Sequence, residues 1–433
     1  MSGYFPLEPS LWAATAPAAP ATPPIESAER ADVCVIGGGY AGLSTALHLA
    51  ERGTRVIVLE AEEVGFGASG RNGGQVIPGL KYDPDDLEAM FGHERGARLI
   101  DFVGGAADMV FDLIARYRMD VAHSRHGWIQ SAHALPALEE IKRRCAQWEQ
   151  RGAPVALLDK AETDRHLGTS RYLASWIDRR GGAVQPLSYV RGLAKAALAA
   201  GAVIHGRTRA QALTRLGTQW QVATSQGATV TADQVIICTN GYSDRLWPRL
   251  RETIIAANSY QVATAPLSDN VRKSILPFGQ VTSDTRKLLL YCRLDESGRL
   301  LMGGRGPFRE PNDARDWAHL ETLLVHHFPQ VKGTPIAHRW CGHVAVTRDF
   351  LPHLHEPAPG LLIDIGCMGR GVALQTAMGR AFADYAIARD EKVLPFPLMP
   401  IRPLPFHGLA KAYFAAAVAW YRFLDRRGAV DAA

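Results

Sequence analysis

The sequence predicts two intertwined domains, one of them an α/β dinucleotide-binding unit of the Rossmann type assembled from separate stretches of chain. Three observations carry this. At 433 residues the chain exceeds the usual size of a single core. The apolar strand Asp32 to Ile36 runs into Gly37-Gly38-Gly39-Tyr40-Ala41-Gly42 and a helix, and the next strand, Arg55 to Leu59, ends at Glu60. Near the other end, Leu361 to Ile365 again enters a helix through glycines starting at Gly366, so the first domain is discontinuous.

Each part of the βαβ unit has a physical reason. Gly37 allows the tight turn, Gly39 lets backbone approach a pyrophosphate, and Gly42 permits close packing of helix on strand. The helix N-terminus offers amides and partial positive charge to phosphate. Glu60, eighteen positions after Gly42, is placed to accept hydrogen bonds from ribose hydroxyls, with Ala61 beside it.

Residues 83 to 150 read as mainly helical, through Leu99, Phe102 and Val103, then Met109, Val110, Leu113 and Ile114. Strands return at Gly127 to Ser131 and from Ala202 to Ile237, where Trp220, Val222 and Thr224 alternate before a Gly227 turn and an antiparallel meander is expected. That stretch closes on an apolar strand ending in Thr239, Asn240 and Gly241, small residues able to meet a cofactor. Leu288 to Leu290 and Leu300 to Met302 are further strands. The first thirty residues, rich in Ala and Pro, lack a basic stretch followed by an apolar one. They read as an ordered or semi-extended lead-in, not a secretory signal. Between Lys411 and Arg422 only ten uncharged residues occur, too few to span a bilayer. Leu409, Tyr413, Ala417 and Trp420 recur at helical spacing, so a helix packed on the body is expected.

Composition excludes several classes. About a fifth of the residues are charged, without a block of one sign, so no nucleic-acid partner is indicated, and the net charge of +5 fits a solvated basic surface. The cysteines Cys34, Cys145, Cys238, Cys292, Cys341 and Cys367 form no C-x-x-C pair, so neither a metal site nor a disulfide framework is indicated. Such usage fits a reducing cytoplasm.

Two further segments point to a flavin over a nicotinamide. One follows Glu60, with Gly67, Ala68, Ser69, Arg71, Asn72, Gly73, Gly74 and Gln75, where small residues suit a backbone pressed against a planar ring and pyrophosphate. The other is Met368, Gly369, Arg370, Gly371, Val372 and Leu374, whose amides could cap the polar edge of a flavin ring.

These stretches, ADVCVIGGGYAGLSTALHLAERG, VIVLEAEEVGFGASGRNGGQ, VIICTNGYSDRLWP, RLDESGRLLMGGR, GCMGRGVALQTAMGR and the terminal RPLPFHGLAKAYFAAAVAWYRFLDRRG, resemble the D-amino-acid oxidase-like FAD superfamily, nearest its gamma-glutamylputrescine oxidase-like branch. The resemblance implies an extended FAD, its ring between a Rossmann-like domain and a second, mainly antiparallel-sheet substrate domain: α/β plus α+β. The implied division is 1–30 lead-in; 31–82, 150–250 and 336–395 FAD-binding; 83–149 and 251–335 substrate domain; 396–433 tail and packing helix. By position it also implies pyrophosphate on Gly37, Gly39 and Gly42, ribose on Glu60, and the ribityl and ring region along Ala68 to Gln75 and Met368 to Leu374.

Three departures from the family bear on chemistry. Where its amino-acid oxidases carry an arginine that grips the substrate carboxylate, this sequence has Val344. Cys341 falls about one residue off the place where sarcosine oxidases attach flavin, so FAD is expected to be non-covalent. The strand Leu300 to Gly303 lacks the lysine that promotes reaction with oxygen. The expected activity is oxidation of an amine C–N bond, with oxygen or another electron acceptor; the alternatives are an amino-acid or aminophosphonate oxidoreductase, with Arg293 or Arg305 as a relocated clamp, and a non-catalytic flavin-bound subunit. His343, Tyr260 and Tyr291 are the other pocket candidates. The oligomeric state is not readable from these features.

Overall fold

The computed structural model describes residues 6–409 together with 415, 416, 418, 420, 421 and 423–425. After the short helix α1 (Leu11–Thr15), the first sheet starts with β1 (Glu29–Ile36), crosses over through α2 (Tyr40–Ala50) and returns as β2 (Val56–Leu59), parallel to β1 with Val33 opposite Val56. Strands Val203–His205 and Thr229–Ile237 add in parallel on the two sides of this pair. The long strand Thr229–Ile237 then divides its free edge. Its first half pairs antiparallel with Gln219–Thr224, Trp220 opposite Ala232, and its second half pairs parallel with Leu361–Ile365, Val235 opposite Leu361. The expected meander is therefore an antiparallel annex to a parallel sheet, and the chain's last third completes the sheet that its first third began. Helix α2 is buried along its whole length, between the sheet and the helices Pro186–Ala199 and Gly371–Ala388.

The second sheet has eight strands in the order 336–346, 255–264, 300–305, 291–294, 281–284, 128–132, 174–178 and 155–158. All neighbours are antiparallel except 281–284 against 128–132. The expected boundaries at 150 and 336 are corrected here: strands Val155–Leu158, Ala174–Asp178 and Ile336–Val346 all belong to this second sheet. Hydrogen-bonded pairing, which sequence order does not reveal, decides membership. Likewise Pro84–Arg116, expected with the substrate domain, packs Leu99, Val103 and Val110 into the core that holds Leu43, Leu47 and Phe382.

The described part of the lead-in buries Leu7, Leu11 and Trp12. Trp12 sets its ring edge-on to Trp340 at 5.7 Å and donates its Nε1–H to the Asn72 carbonyl at 2.8 Å, clamping the N-terminal glycine-rich loop to the second sheet. At the other end, Lys411, Tyr413, Ala417 and Arg422 lie outside the described residues. Of that expected packing face, Leu409 and Trp420 are exposed, at 66% and 57%. The described part of the segment meets the body through Asp425, which accepts the backbone N–H groups of Lys287 at 2.9 Å and Leu288 at 3.1 Å. Among the described residues no helix is long and apolar enough to cross a membrane.

Candidate active site

The turn between β1 and α2 opens on a cavity of about 1400 Å³ walled by both large sheets. Gly37, at φ +114°, adopts a conformation closed to other residues, and a Cβ there would lie 2.8 Å from the Cys238 carbonyl oxygen. A Cβ on Gly42 would overlap the Gly37 carbonyl; Gly42 sits behind the cavity wall and lets the helix seat on the turn. Gly39 is the N-cap of α2 and brings no side-chain cap. The Tyr40 N–H finds Ser69 Oγ at 3.0 Å, and Gly39, Tyr40 and Ala41 face the cavity with the positive end of the helix. Glu60 lines the same end, its Oε2 accepting from Gly38 N–H at 2.7 Å and its Oε1 from Glu62 N–H at 3.0 Å; burial pushes its carboxyl above the ordinary range. Ala61 is beside it on the wall.

Gly67, Ala68, Ser69, Arg71, Asn72, Gly73 and Gln75 form one wall. The polar side chains of this loop hold it in shape. Asn72 Nδ2 is within bonding distance of the Ala68 and Ser69 carbonyls at 3.1 and 3.0 Å, while its Oδ1 accepts from Gly74 N–H at 2.8 Å. Arg71 donates from Nε to the Phe66 carbonyl at 2.6 Å and lies over the Phe66 ring. Gln75 reaches the carbonyls of Thr282 and Cys292 at 3.0 and 3.1 Å, tying the loop to the second sheet. Tyr40 donates its hydroxyl to the Ser69 carbonyl at 2.7 Å, so α2 and the loop are fixed relative to each other. Gly74, at φ +68°, is outside the wall: its Cα faces the Val184 carbonyl, leaving no room for a side chain.

Thr239 and Asn240 line the cavity where strand Thr229–Ile237 ends, and Asn240 Oδ1 accepts the Gly366 N–H at 3.0 Å, joining two strand ends. Gly241 is turned from the cavity toward the His343 backbone. Met368, Gly369, Arg370, Gly371 and Val372 form the opposite wall at the start of helix Gly371–Ala388. Leu374, expected at the cofactor, lies two helical positions past Val372 and is buried in the core that holds Phe382. Arg370 extends over the Trp128 ring at 4.8 Å and donates to the Pro78 carbonyl at 2.9 Å; burial lowers it to about 9.

At the second sheet, Tyr291, Arg305, His343 and Val344 line the cavity, and Tyr260 and Arg293 do not. Tyr260 is excluded by strand alternation: Ser259 and Gln261 take the cavity face, and Tyr260 packs on Trp317 at 5.1 Å on the other side of the sheet. Arg293 lies beneath the Gly73–Gly74 loop, donating Nη1 to the carbonyls of Val184 at 2.7 Å and Gly74 at 3.1 Å. It is a structural staple, and burial lowers it to about 10. Tyr291 shares a 3.0 Å hydrogen bond with Ser259 Oγ, and a Cβ on Gly73 would come 2.5 Å from its ring, so the loop's glycine makes room for this tyrosine. His343 pairs with Glu310 at 3.0 Å and sits edge-on to Tyr242. Cys341 is buried off the wall, its thiol pushed up to about 12 by burial. Two wall residues of another kind, Lys81 and Lys287, carry no sequence signal, since each sits alone in a loop.

A dinucleotide fits these parts. The volume exceeds the roughly 300–1000 Å³ of ordinary small-molecule sites. A helix start whose N-cap residue brings no side-chain cap faces one end, and the half-buried Glu60 carboxylate stands beside it. Behind the wall, Asp364 is fully buried with neither oxygen hydrogen-bonded among the described residues, and burial raises its carboxyl to about 7.

Comparison with known proteins agrees with this geometry. The family model DAO, FAD dependent oxidoreductase, matches residues 32–385. The chain is 31% identical over 431 residues to a probable oxidoreductase, OrdL, of Rhizobium meliloti (strain 1021), covering 98% of this chain and 100% of that one. It is 33% identical over 406 residues to gamma-glutamylputrescine oxidoreductase of Escherichia coli (strain K12), covering 92% and 93%. Among solved structures, glycine oxidase from Geobacillus kaustophilus superposes with a TM-score of 0.70 at 23% identity, over 87% of this chain and 99% of that one, a likeness of fold.

Proposed function

The chain belongs to the DAO family of FAD-dependent oxidoreductases, and from that premise we propose that it oxidises the C–N bond of a primary or secondary amine, of the gamma-glutamylputrescine type or another N-substituted alkylamine. The product is an imine, which water splits into an aldehyde and a smaller amine or ammonia. Oxygen is the acceptor, leaving as hydrogen peroxide. When bound, FAD supplies the two-electron acceptor for the hydride on the carbon next to nitrogen.

This chain's residues bind and orient. The amides at the start of α2 receive the pyrophosphate, Glu60 receives the ribose hydroxyls, and the loop 67–75, Thr239–Asn240 and Met368–Val372 enclose the ring. FAD is held without a covalent bond: Cys341 is off the wall, and the two cysteines on it, Cys238 and Cys367, have thiols that burial pushes up and so keeps unreactive. His343, Tyr291 and Val344 bound the reacting end and keep water out. His343 is held by Glu310, and an amine that arrives neutral needs no strong protein base. The six cysteines, all buried and free, support a reducing cytoplasm as the compartment.

The observation that carries the reading is Val344 on the wall together with Arg293 committed to backbone carbonyls. A carboxylate on the reacting carbon would meet an apolar side chain, and burying an unpaired charge is strongly disfavoured. Anaerobic stopped-flow reduction of the bound flavin is expected to be at least about tenfold faster with gamma-glutamylputrescine than with glycine or sarcosine, which corresponds to roughly 1.4 kcal/mol in transition-state binding. Faster reduction by glycine or sarcosine overturns the proposal. Acid is expected to release the yellow colour into the supernatant; colour retained in the pellet overturns the non-covalent part.

A further inference from the structure

Behind the cavity wall, where strand Leu361–Ile365 runs into helix Gly371–Ala388, lies a carboxyl that the proposed chemistry leaves unused. Strand alternation aims it: Leu361, Ile363 and Ile365 face one core, Leu362 faces the core that holds Leu43 and Phe382, and Asp364 shares the side of Leu362. It is 1% exposed. Three residues of the wall stand before it: Cys238 from the end of strand Thr229–Ile237, Cys367, and Gln375, one turn into the helix. Both thiols feel its charge, and Gln375 is the polar group that reaches toward it.

Gln375 is 5% exposed, and neither its Nε2 nor either Asp364 oxygen has a hydrogen bond among the described residues. A carboxamide facing a carboxyl has two arrangements. Ionised, Asp364 only accepts, so Gln375 must turn Nε2–H toward it and show its carbonyl oxygen to the cavity. Neutral, Asp364 donates its O–H to Gln375 Oε1, and Gln375 shows Nε2–H to the cavity instead. The surrounding groups leave this choice to the proton. From strand His353–Ala358, Leu354 stands opposite Asp364, while His353 and His355 belong to the other face, held by Asp349 and by the Met399 carbonyl. From α2, His48 is bound to the Ser44 carbonyl and Tyr40 to that of Ser69. Burial raises the thiols of Cys238 and Cys367, Arg370 turns away to Trp128, and Arg380, the next charged residue along the helix, is exposed.

We propose that Asp364 and Gln375 form a proton-set switch behind the flavin: as the acid, Asp364 turns an N–H of Gln375 to the cofactor, and as the carboxylate it turns the Gln375 carbonyl there. Both are positioning residues. Reduction adds negative charge to the ring, and a donor backed by a neutral acid favours that charge where an acceptor backed by a carboxylate opposes it. The proton comes from solvent and forms only the Asp364 O–H bond; no electrons pass through the pair. The inference goes beyond the amine reading and rests on the placement of the ring against Met368–Val372 given above.

The flavin midpoint potential of the FAD-loaded protein, measured with mediator dyes from pH 6 to pH 9, tests the switch without turnover. Asp364→Asn keeps the donor and cannot ionise, so it should match the parent at pH 6. At pH 9 the parent should fall below it by at least about 30 mV, which is tenfold in the reduced-to-oxidised ratio for a two-electron couple. In a Gln375→Leu background the same Asp364→Asn exchange should lose most of its effect, because the carboxamide carries it. The reduced-minus-oxidised infrared spectrum of the parent at pH 8 should gain a carboxylic-acid carbonyl band that Asp364→Asn lacks. Parallel potentials across the range, an exchange effect undiminished by Gln375→Leu, or absence of the acid band overturns the switch. Gly371→Ala, whose Cβ comes no closer than 3.5 Å to its neighbours, tests the placement beneath it through the flavin's visible bands. Shifted bands with parallel potentials overturn the switch alone; unshifted bands overturn the ring placement and the switch with it.

Discussion

The two ends of the cavity are built by different means. At the α2 end the ligand surface is backbone: a glycine turn, helix amides and one carboxylate, all within residues 37–60. At the second sheet it is side chains, among them Tyr291, His343 and Val344, brought to one wall by separate strands. Backbone recognition requires specific residues at specific spacings, because only glycine tolerates the turn. Side-chain recognition requires only that a group of the right character reach the place. A mutation should therefore be felt through backbone geometry at the first end and through side-chain character at the second.

The strongest break of this contrast is Gly42→Val. Its Cβ would occupy the Gly37 carbonyl, and backbone cannot yield as a flexible side chain can. The protein is expected to purify colourless or not to fold; a yellow protein with parental FAD affinity, measured by flavin fluorescence on titration, would remove the turn from the cofactor site.

Arg293→Met is the next largest, and it asks whether a buried arginine near the site is a clamp or a staple. Losing the donor to two buried carbonyls should cost about 2–4 kcal/mol in urea unfolding. The ratio of flavin reduction rates for gamma-glutamylputrescine and glycine should stay within about twofold. A collapse of that ratio with stability intact would make Arg293 a substrate residue.

Asp364→Asn sharpens the contrast at the hidden carboxylate behind the wall. The folded state raises this group to about 7, so the folded chain holds a proton that the unfolded chain has released. Its contribution is therefore full below the unfolded value near 4 and is lost as pH rises through about 7. The asparagine variant should be more stable than the parent at pH 8, on the order of 2 kcal/mol, with the difference shrinking toward pH 5. Equal unfolding midpoints at pH 8 would mean that the carboxylate has a partner in the loaded protein.

What could be read from the sequence follows the same division. The βαβ unit was legible because a tight turn, a helix start and a terminal acid leave local constraints on residue type, from Gly37 to Glu60. The loop 67–75 was legible as a segment, but the work of Arg71, Asn72 and Gln75 was not: each is spent on loop carbonyls or on the second sheet. Tyr260 and Arg293 show the limit plainly, since one residue of strand register sends Tyr260 to the far face and a crossing loop covers Arg293.

By itself the sequence determined that a dinucleotide turn exists, that its first and last thirds share a sheet, and that an apolar side chain stands at Val344. Those features rest on backbone conformation and on the identity of single residues, which travel with the chain. Only the tertiary structure decided which sheet claims Val155–Leu158 and Ile336–Val346, which face each strand turns to the cavity, and that Tyr291, His343 and Val344 share one wall. Strand pairing and side-chain convergence are set by packing between segments hundreds of residues apart, and no local pattern in the sequence records them.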